Sequence, residues 1–272
     1  MTVQGGPVDI HSHLVPDVDD GARGTDGSLA AIGRMVEVGV RRILTTPHLD
    51  ASLQSEEAEL AERVDEVESA FQELRTAAAE AHPEVELQRG FEVNLDYPEV
   101  DFSDTRLRLA GTRFALVEWP RLQIPPETTR VIERIVATGT VPVIAHPERY
   151  GGIEQMGDIP RHWVEAGALL QVNWGSLVGR YGAAARRIAT RLLRVGAVSY
   201  LASDFHGREH LALNYLESRE ALEGLGGAET FRVLTETNPR RLLEDEMPMP
   251  APILPESDGF LAKVRRMIGG RR

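Results

Sequence analysis

The stretch Pro7-Val8-Asp9-Ile10-His11-Ser12-His13 joins a short apolar run to two histidines separated by one residue. Residues at i and i+2 of an extended chain point to the same side, so both imidazoles can reach one cation. Apolar runs rich in β-branched residues recur at Arg42–Thr46, Val85–Val93, Phe114–Trp119, Val141–Ala145, Leu169–Trp174 and Ser199–Ala202. Helical stripes lie between them: Leu29, Ile32, Met35 and Val36; Leu60, Val64, Val67, Phe71 and Leu74; Val131, Ile132, Ile135 and Val136. Alternation of this kind predicts parallel βαβ units. Seven strand runs, with no Pro/Gly/Ser linker before residue 247, predict an α/β barrel over residues 1–246 as one domain.

The composition fits that reading. The chain has 272 residues, 42% of them apolar and 26% charged, which is typical of a globular protein. A net charge of −12 argues against nucleic acid bound through a general basic surface. There is no cysteine, so disulfides, thiolate metal sites and thiolate nucleophiles are all excluded. The N-terminus lacks the features of a signal peptide, and no stretch of about 18 apolar residues occurs; the expected location is cytoplasmic. Residues 247–272 change character: a Pro-rich linker is followed by a basic segment with Lys263, Arg265, Arg266, Arg271 and Arg272. Its plain reading is a tail that docks on the barrel or frays. The sharper reading is a basic amphipathic helix making weak contact with an anionic membrane surface or a partner.

The polar residues carry the functional signal. His48 ends the second run in Ile43-Leu-Thr-Thr-Pro-His, Glu92 ends the third in Arg89-Gly-Phe-Glu-Val, and Glu118 ends the fourth. His146 closes the fifth, and Asp204 and His206 follow the last. In a barrel the C-terminal strand ends share one mouth, where active sites lie. A lone histidine at a strand end is usually a structural residue. Here five of eight histidines take this position; His82, His162 and His210 do not and read as surface or packing residues. Burying so many ionisable groups without a cation costs several kcal/mol each, so convergence favours a metal site. Imidazole and carboxylate donors without thiolate suit Mn, Fe or Zn, and a cluster of such ions points to phosphate-ester hydrolysis.

These residues resemble a known family. His11-Ser-His13, Asp17-Val-Asp-Asp-Gly21, Thr46-Pro-His48, Glu92, Glu118, Ala145-His-Pro-Glu-Arg-Tyr150 and Ala202-Ser-Asp-Phe-His206 look like the PHP (polymerase and histidinol phosphatase) superfamily. Within it, the chain is most similar to the metal-dependent protein-tyrosine phosphatases of bacterial capsule and exopolysaccharide loci. Similarity spans roughly residues 8–245. The resemblance implies a distorted (β/α)7 TIM-like barrel of the PHP type with three divalent metal ions at its mouth, Mn first and Fe or Zn as alternatives. His11, His13, Glu92 and Asp204 would hold the first ion. Glu92 would bridge to a second, completed by Glu118 and His146. Asp20, His48 and His206 would hold the third, with Asp17 and Asp19 close enough to Asp20 to compete for that role. Arg149 and Arg208 match phosphate-binding arginines; as surface residues they would simply be solvated charges.

Three divalent ions against Asp20, Glu92, Glu118 and Asp204 leave a positive excess that suits a phosphomonoester dianion. The implied reaction is attack of a metal-bridging hydroxide on phosphorus, and no phospho-enzyme is required. The implied substrate is the phosphotyrosine-containing tail of a bacterial tyrosine autokinase that regulates polysaccharide synthesis and export. The rival enzyme reading is a histidinol-phosphate or other small-molecule phosphatase on the same scaffold. A rival of another class is a metal-binding regulatory or polymerase-accessory module without turnover, against which the full set of ligands argues. The sequence leaves the oligomeric state open.

Overall fold

The computed structural model describes residues 5–154 and 157–255. Its strands are β1 (Val8–Asp9), β2 (Arg42–Thr45), β3 (His48–Asp50), β4 (Glu86–Arg89), β5 (Glu92–Asn94), β6 (Phe114–Glu118), β7 (Val141–Ala145), β8 (Leu169–Asn173) and β9 (Tyr200–Ala202). The helices between and after them are α1 (Gly24–Glu37), α2 (Glu57–Ala81), α3 (Thr128–Ala137), α4 (Ile159–Glu165), α5 (Trp174–Leu177), α6 (Gly182–Arg194), α7 (Tyr215–Glu223), α8 (Ala228–Arg232) and α9 (Asn238–Leu243). All strand pairs are parallel, in a sheet ordered β1-β2-β4 and a sheet ordered β3-β5-β6-β7-β8-β9.

The two sheets are one wall. Gly90 N–H donates to the Thr45 carbonyl at 3.0 Å and Glu92 N–H to the Pro47 carbonyl at 3.1 Å, so β2–β3 and β4–β5 are two continuous, kinked staves. Closure comes from the first and last staves. Asp204 N–H donates to the His11 carbonyl at 2.8 Å, and His13 N–H donates to that of Phe205 at 2.9 Å. The result is a seven-stave parallel barrel.

Two details depart from the sequence reading. His48 and Glu92 do not end their runs; each opens a second strand segment beyond a break. Pro47 has no amide hydrogen to continue the ladder. At Gly90 a Cβ would lie 2.8 Å from the Arg108 carbonyl oxygen, so only glycine admits that crossing chain. The Val85–Val93 run is therefore two strands.

Alternation along the staves separates two cores. Val8, Ile10, Leu44, Phe114, Leu116, Val143, Ala145, Tyr200 and Ala202 fill the barrel interior, with Leu109 and Leu242 in the same cluster. Their neighbours Ala115, Val117, Ile144, Leu170, Val172 and Leu201 face outward into the larger core that the helices cover. Helix α2 shows why its acidic sequence still folds: Val64, Val67, Phe71, Leu74 and Ala78 form its buried stripe, and its acids lie on the other side. Residues 247–255 lie against the barrel. Asn238 exchanges two hydrogen bonds with the Met249 backbone, Thr230 donates to the Pro252 carbonyl, and Leu254 is buried. The basic segment beyond lies outside the described residues.

Candidate metal centre

Five imidazoles and four carboxylates meet at the C-terminal mouth of the barrel. Glu92 lies at the centre, fully buried. Its Oε2 is 3.3 Å from His11 Nε2, 3.4 Å from His13 Nε2 and 3.1 Å from His48 Nδ1. Its Oε1 is 2.8 Å from His146 Nε2, which lies 3.9 Å from a Glu118 oxygen. Asp204 Oδ1 is 3.6 Å from His11 Nε2, 3.5 Å from His13 Nε2 and 3.5 Å from His206 Nδ1. Asp20 Oδ1 is 3.4 Å from His48 Nε2 and 3.2 Å from His206 Nε2. Three overlapping groups of donor atoms, each within 4.8 Å of one another, are His13-Asp20-His48-His206, His11-His13-Glu92 and His48-Glu92-Glu118.

These side chains are aimed by a layer of partners beneath them. His11 Nδ1 meets Gln171 Oε1 at 2.8 Å, and Gln171 in turn donates to Asn173 Oδ1 at 2.9 Å. Asn173 donates to Asp204 Oδ2 at 2.7 Å. His13 Nδ1 meets Asp19 Oδ2 at 2.8 Å. With acceptors on both Nδ1 atoms, both Nε2 atoms face inward, only 3.3 Å apart. Two neutral rings would oppose lone pairs there, and two doubly protonated rings would oppose N–H groups. The contact calls for one positive charge between the rings, a single proton or a cation. A cation shared with Glu92 and Asp204 resolves the contact. Glu92 Oε2 agrees: it is buried with no hydrogen bond, although three imidazole nitrogens surround it. The residues fit divalent ions with N and O donors.

Electrostatics point the same way. Burial would push the Glu92 carboxyl up, but His11, His13 and His146 outweigh it and hold the group well below the usual range. Asp204, also penalised by burial, is likewise held low by His11 and His13. Glu118 is raised to about 7, by burial and then by the charge of Glu92. Burial lowers His146. It would lower His48 too, but the neighbouring carboxylates of Asp20 and Glu92 lift that ring to about 10. The cluster draws in positive charge, which protons supply in the metal-free protein.

Backbone strain marks two of the groups. His146 has φ 34° and Asp204 φ 49°, left-handed values that cost a non-glycine residue roughly 1–3 kcal/mol. The turn at Asp204 is held by Asp9, which accepts from Ser203 N–H at 2.8 Å and Ser203 Oγ at 2.7 Å. The turn after His146 is held by Glu148, which accepts from Asn173 N–H at 3.0 Å and Ser176 Oγ at 2.6 Å.

The expected residues fall as follows. All nine expected ligands lie in the cluster. Within the loop Asp20 faces His48 and His206, Asp19 orients His13, and Asp17 is turned outward to Arg23 at 3.7 Å. His48 presents one nitrogen to Asp20 and the other to Glu92 and Glu118. A neutral ring has one lone pair, so it can serve only one side. Arg149 ion-pairs with Asp204 Oδ2 and lies 4.4 Å over the Tyr181 ring. Arg208 donates to the Asp20 carbonyl at 2.9 Å. His82, His162 and His210 lie outside the cluster, His82 meeting the Leu29 carbonyl at 3.1 Å. Sequence reasoning missed Gln171, Asn173, Asp9 and Glu148. Gln171 and Asn173 did leave a signal, as polar residues two apart within an apolar strand.

Among the described residues no helix is long and apolar enough to cross a membrane. The family model "Capsular polysaccharide synthesis, CpsB/CapC" matches residues 7–244. Tyrosine-protein phosphatase YwqE of Bacillus subtilis is 29% identical over 242 residues, covering 88% of this chain and 92% of that protein. Tyrosine-protein phosphatase CpsB of Streptococcus pneumoniae is 27% identical over 248 residues, covering 88% and 99%. Among solved structures, work on YwqE and CpsB describes "unique metal-dependent tyrosine phosphatases"; the match has a TM-score of 0.77 and 27% identity over 91% of this chain and 98% of that one. The phosphotriesterase homology protein of Escherichia coli, at a TM-score of 0.50 and 15% identity, covers 87% of this chain and 98% of its own and shares the fold.

Proposed function

The chain belongs to the CpsB/CapC family of capsular polysaccharide synthesis, and from that premise we propose that it is a metal-dependent phosphatase acting on protein phosphotyrosine. The observation that carries this reading is Glu92 Oε2, buried without a hydrogen bond among three imidazole nitrogens, in a chain that has no cysteine nucleophile. His11, His13, Glu92 and Asp204 would hold one ion. Glu92, Glu118 and His146 would hold a second, and Asp20, His48 and His206 a third. Mn²⁺ is the first candidate, with Fe and Zn as alternatives. Divalent ions there supply Lewis acidity, bringing the pKa of water toward about 7 and neutralising phosphoryl oxygens.

The chain's own residues do the rest. Gln171 and Asp19 fix the tautomers and directions of His11 and His13. Arg149 uses one donor on Asp204 and offers the others of its planar fork to phosphoryl oxygens. Arg208 ties the Asp20 loop to the stretch after β9 and presents its charge at the same rim. A tyrosine phenolate, with a pKa near 10, is a better leaving group than a serine alkoxide.

The substrate under this reading is the phosphotyrosine-bearing tail of a bacterial tyrosine kinase controlling polysaccharide export, and the enzyme acts in the cytoplasm. The test is kcat/KM on Mn²⁺-loaded protein, with a phosphotyrosyl peptide and histidinol phosphate side by side. A strong preference for the peptide is expected. A strong preference for histidinol phosphate would keep the site and overturn the substrate.

A further inference from the structure

One cavity lies beside the metal cluster and adjoins a second, farther along α6. The nearer, of about 480 Å³, opens at Arg149 and Tyr181 and has a floor of small residues, Gly151, Gly152, Ala184 and Ala185. The farther, of about 660 Å³, lies between α4 and α6 and includes Pro160, Val164, Leu192 and Val195. Ile153, Glu154 and Ile188 line both, so the two form one trough that runs along α6 from the cluster. Helix α6 has 13 residues. At about 1.5 Å per residue that is roughly 20 Å, the span of about six residues of extended chain.

The trough has a distinct chemistry. Helix α6 carries Arg186, Arg187, Arg191 and Arg194 and no acid, in a chain whose net charge is −12. Arg187 and Arg191 line the trough, as does Arg161 of α4, which is paired with Glu165 at 2.8 Å. The acids along it are the buried Glu148, Glu154, which Arg187 engages at 3.1 Å, and Asp158. Among the described residues Arg191 has no carboxylate partner. Val164, 40% exposed, and Val195, 65% exposed, leave apolar surface along it. The chain's own C-terminal segment is a poor electrostatic match, since Phe260–Arg272 carries five basic residues and no acid.

We propose that this trough binds an extended, acidic polypeptide segment with interspersed apolar residues, on one side of the phosphorylated residue that enters the metal cluster. The inference rests on the phosphatase reading and adds to it where the flanking peptide lies. Arg191, which has no carboxylate partner among the described residues, attracts the acidic side chains, while Ile153, Ile188 and Val195 receive the apolar ones. The small side chains of Ala184 and Ala185 keep the entrance beside Arg149 open. A small phosphomonoester such as p-nitrophenyl phosphate would meet only the Arg149 end and not the part of the trough along Arg191 and Val195.

The test compares wild type with V195D, which places an acid in the apolar part of the trough away from Arg149, and R191E, which reverses a rim charge. Both positions are exposed, Arg191 on α6 and Val195 just beyond its end. Each protein is assayed with p-nitrophenyl phosphate and with a peptide carrying a central phosphotyrosine flanked on both sides by alternating Glu and Leu. The expected result is a KM for the peptide raised about five- to tenfold in both variants, with p-nitrophenyl phosphate kinetics unchanged. The R191E effect should shrink at high salt. Unchanged peptide KM in both variants, with normal aryl-phosphate turnover, would overturn the trough. Should wild type turn over neither compound, the phosphatase reading fails. The trough is then decided by fluorescence anisotropy of the same peptide carrying a non-hydrolysable phosphotyrosine mimic. Weaker binding to both variants upholds it. Equal binding, or no binding because a second copy or the C-terminal segment covers the trough, overturns it.

Discussion

Replacing Gln171 with Leu tests whether the cluster is a preorganised metal site. Gln171 is fully buried, accepts from His11 Nδ1 at 2.8 Å and donates to Asn173 at 2.9 Å. Leucine keeps the bulk and removes both hydrogen bonds. The His11 Nδ1–H and Asn173 Oδ1 then lie buried without partners, at a cost of about 1–3 kcal/mol each. His11 also loses the contact that turns Nε2 toward Glu92 and Asp204. Loss of such an outer contact typically weakens metal binding about 10- to 100-fold, equivalent to roughly 1.4–2.7 kcal/mol. The assay is Mn²⁺ or Zn²⁺ affinity by chelator competition at 25 °C, with Tm of the metal-free protein recorded in parallel. Q171E retains an acceptor for His11 and should recover most of the lost affinity while still disturbing Asn173. Metal affinity in Q171L equal to wild type would refute the claim that His11 is a ligand aimed from beneath.

Three further outcomes follow from the same geometry. D204A removes the oxygen shared by His11, His13 and His206, and should lower metal content and cut turnover at least about 100-fold; full activity with normal metal content would sink the assignment. G21A places a Cβ 2.6 Å from that of His13 and 2.8 Å from Asp19 Oδ1, so the loop must move. It should cost about 1–3 kcal/mol of stability and weaken binding at Asp20, seen as a lowered Tm and reduced metal content. Metal uptake at neutral pH should release protons, because Glu92 and Asp20 raise His48 to about 10 and metal binding requires the neutral ring. Affinity should therefore fall as pH falls. Calorimetry in two buffers of different ionisation enthalpy reads this directly, and identical heats would exclude proton release.

How much of this was legible in the sequence depended on the range of the interactions involved. The staves were readable because each carries its own apolar run, and the ligands because each stands at or just beyond a strand segment. The kinks were not. Pro47 and Gly90 interrupt staves for reasons that lie partly elsewhere, Gly90 because the chain at Arg108–Leu109 crosses it. Nor could the loop Asp17–Gly21 be resolved by spacing. Asp17 sits at φ 59°, and the turn it opens sends Asp19 to His13 and Asp20 to His48 and His206. The supporting layer was hidden for a different reason. Gln171 looks like an interruption in an apolar strand until the barrel closes and brings it to His11, 160 residues away.

Barrel closure also explains why so charged a site can exist on a marginally stable fold. Beneath the mouth, Ile10, Leu116, Val143, Ala145 and Ala202 complete an apolar interior that needs no ligand. The cluster therefore does not have to hold the barrel together, unlike a small domain whose core is the metal itself. Its cost is met locally. Where Glu92 and Asp204 are ionised, protons on neighbouring imidazoles balance them, and a cation that displaces those protons leaves the same carboxylates neutralised. Proton and metal compete for one set of lone pairs while the staves stay fixed. The strained backbone at His146 and Asp204 fits this division of labour. Buried acceptors on Glu148 and Asp9 hold those turns, so the ligands keep their aim whichever positive charge occupies the mouth.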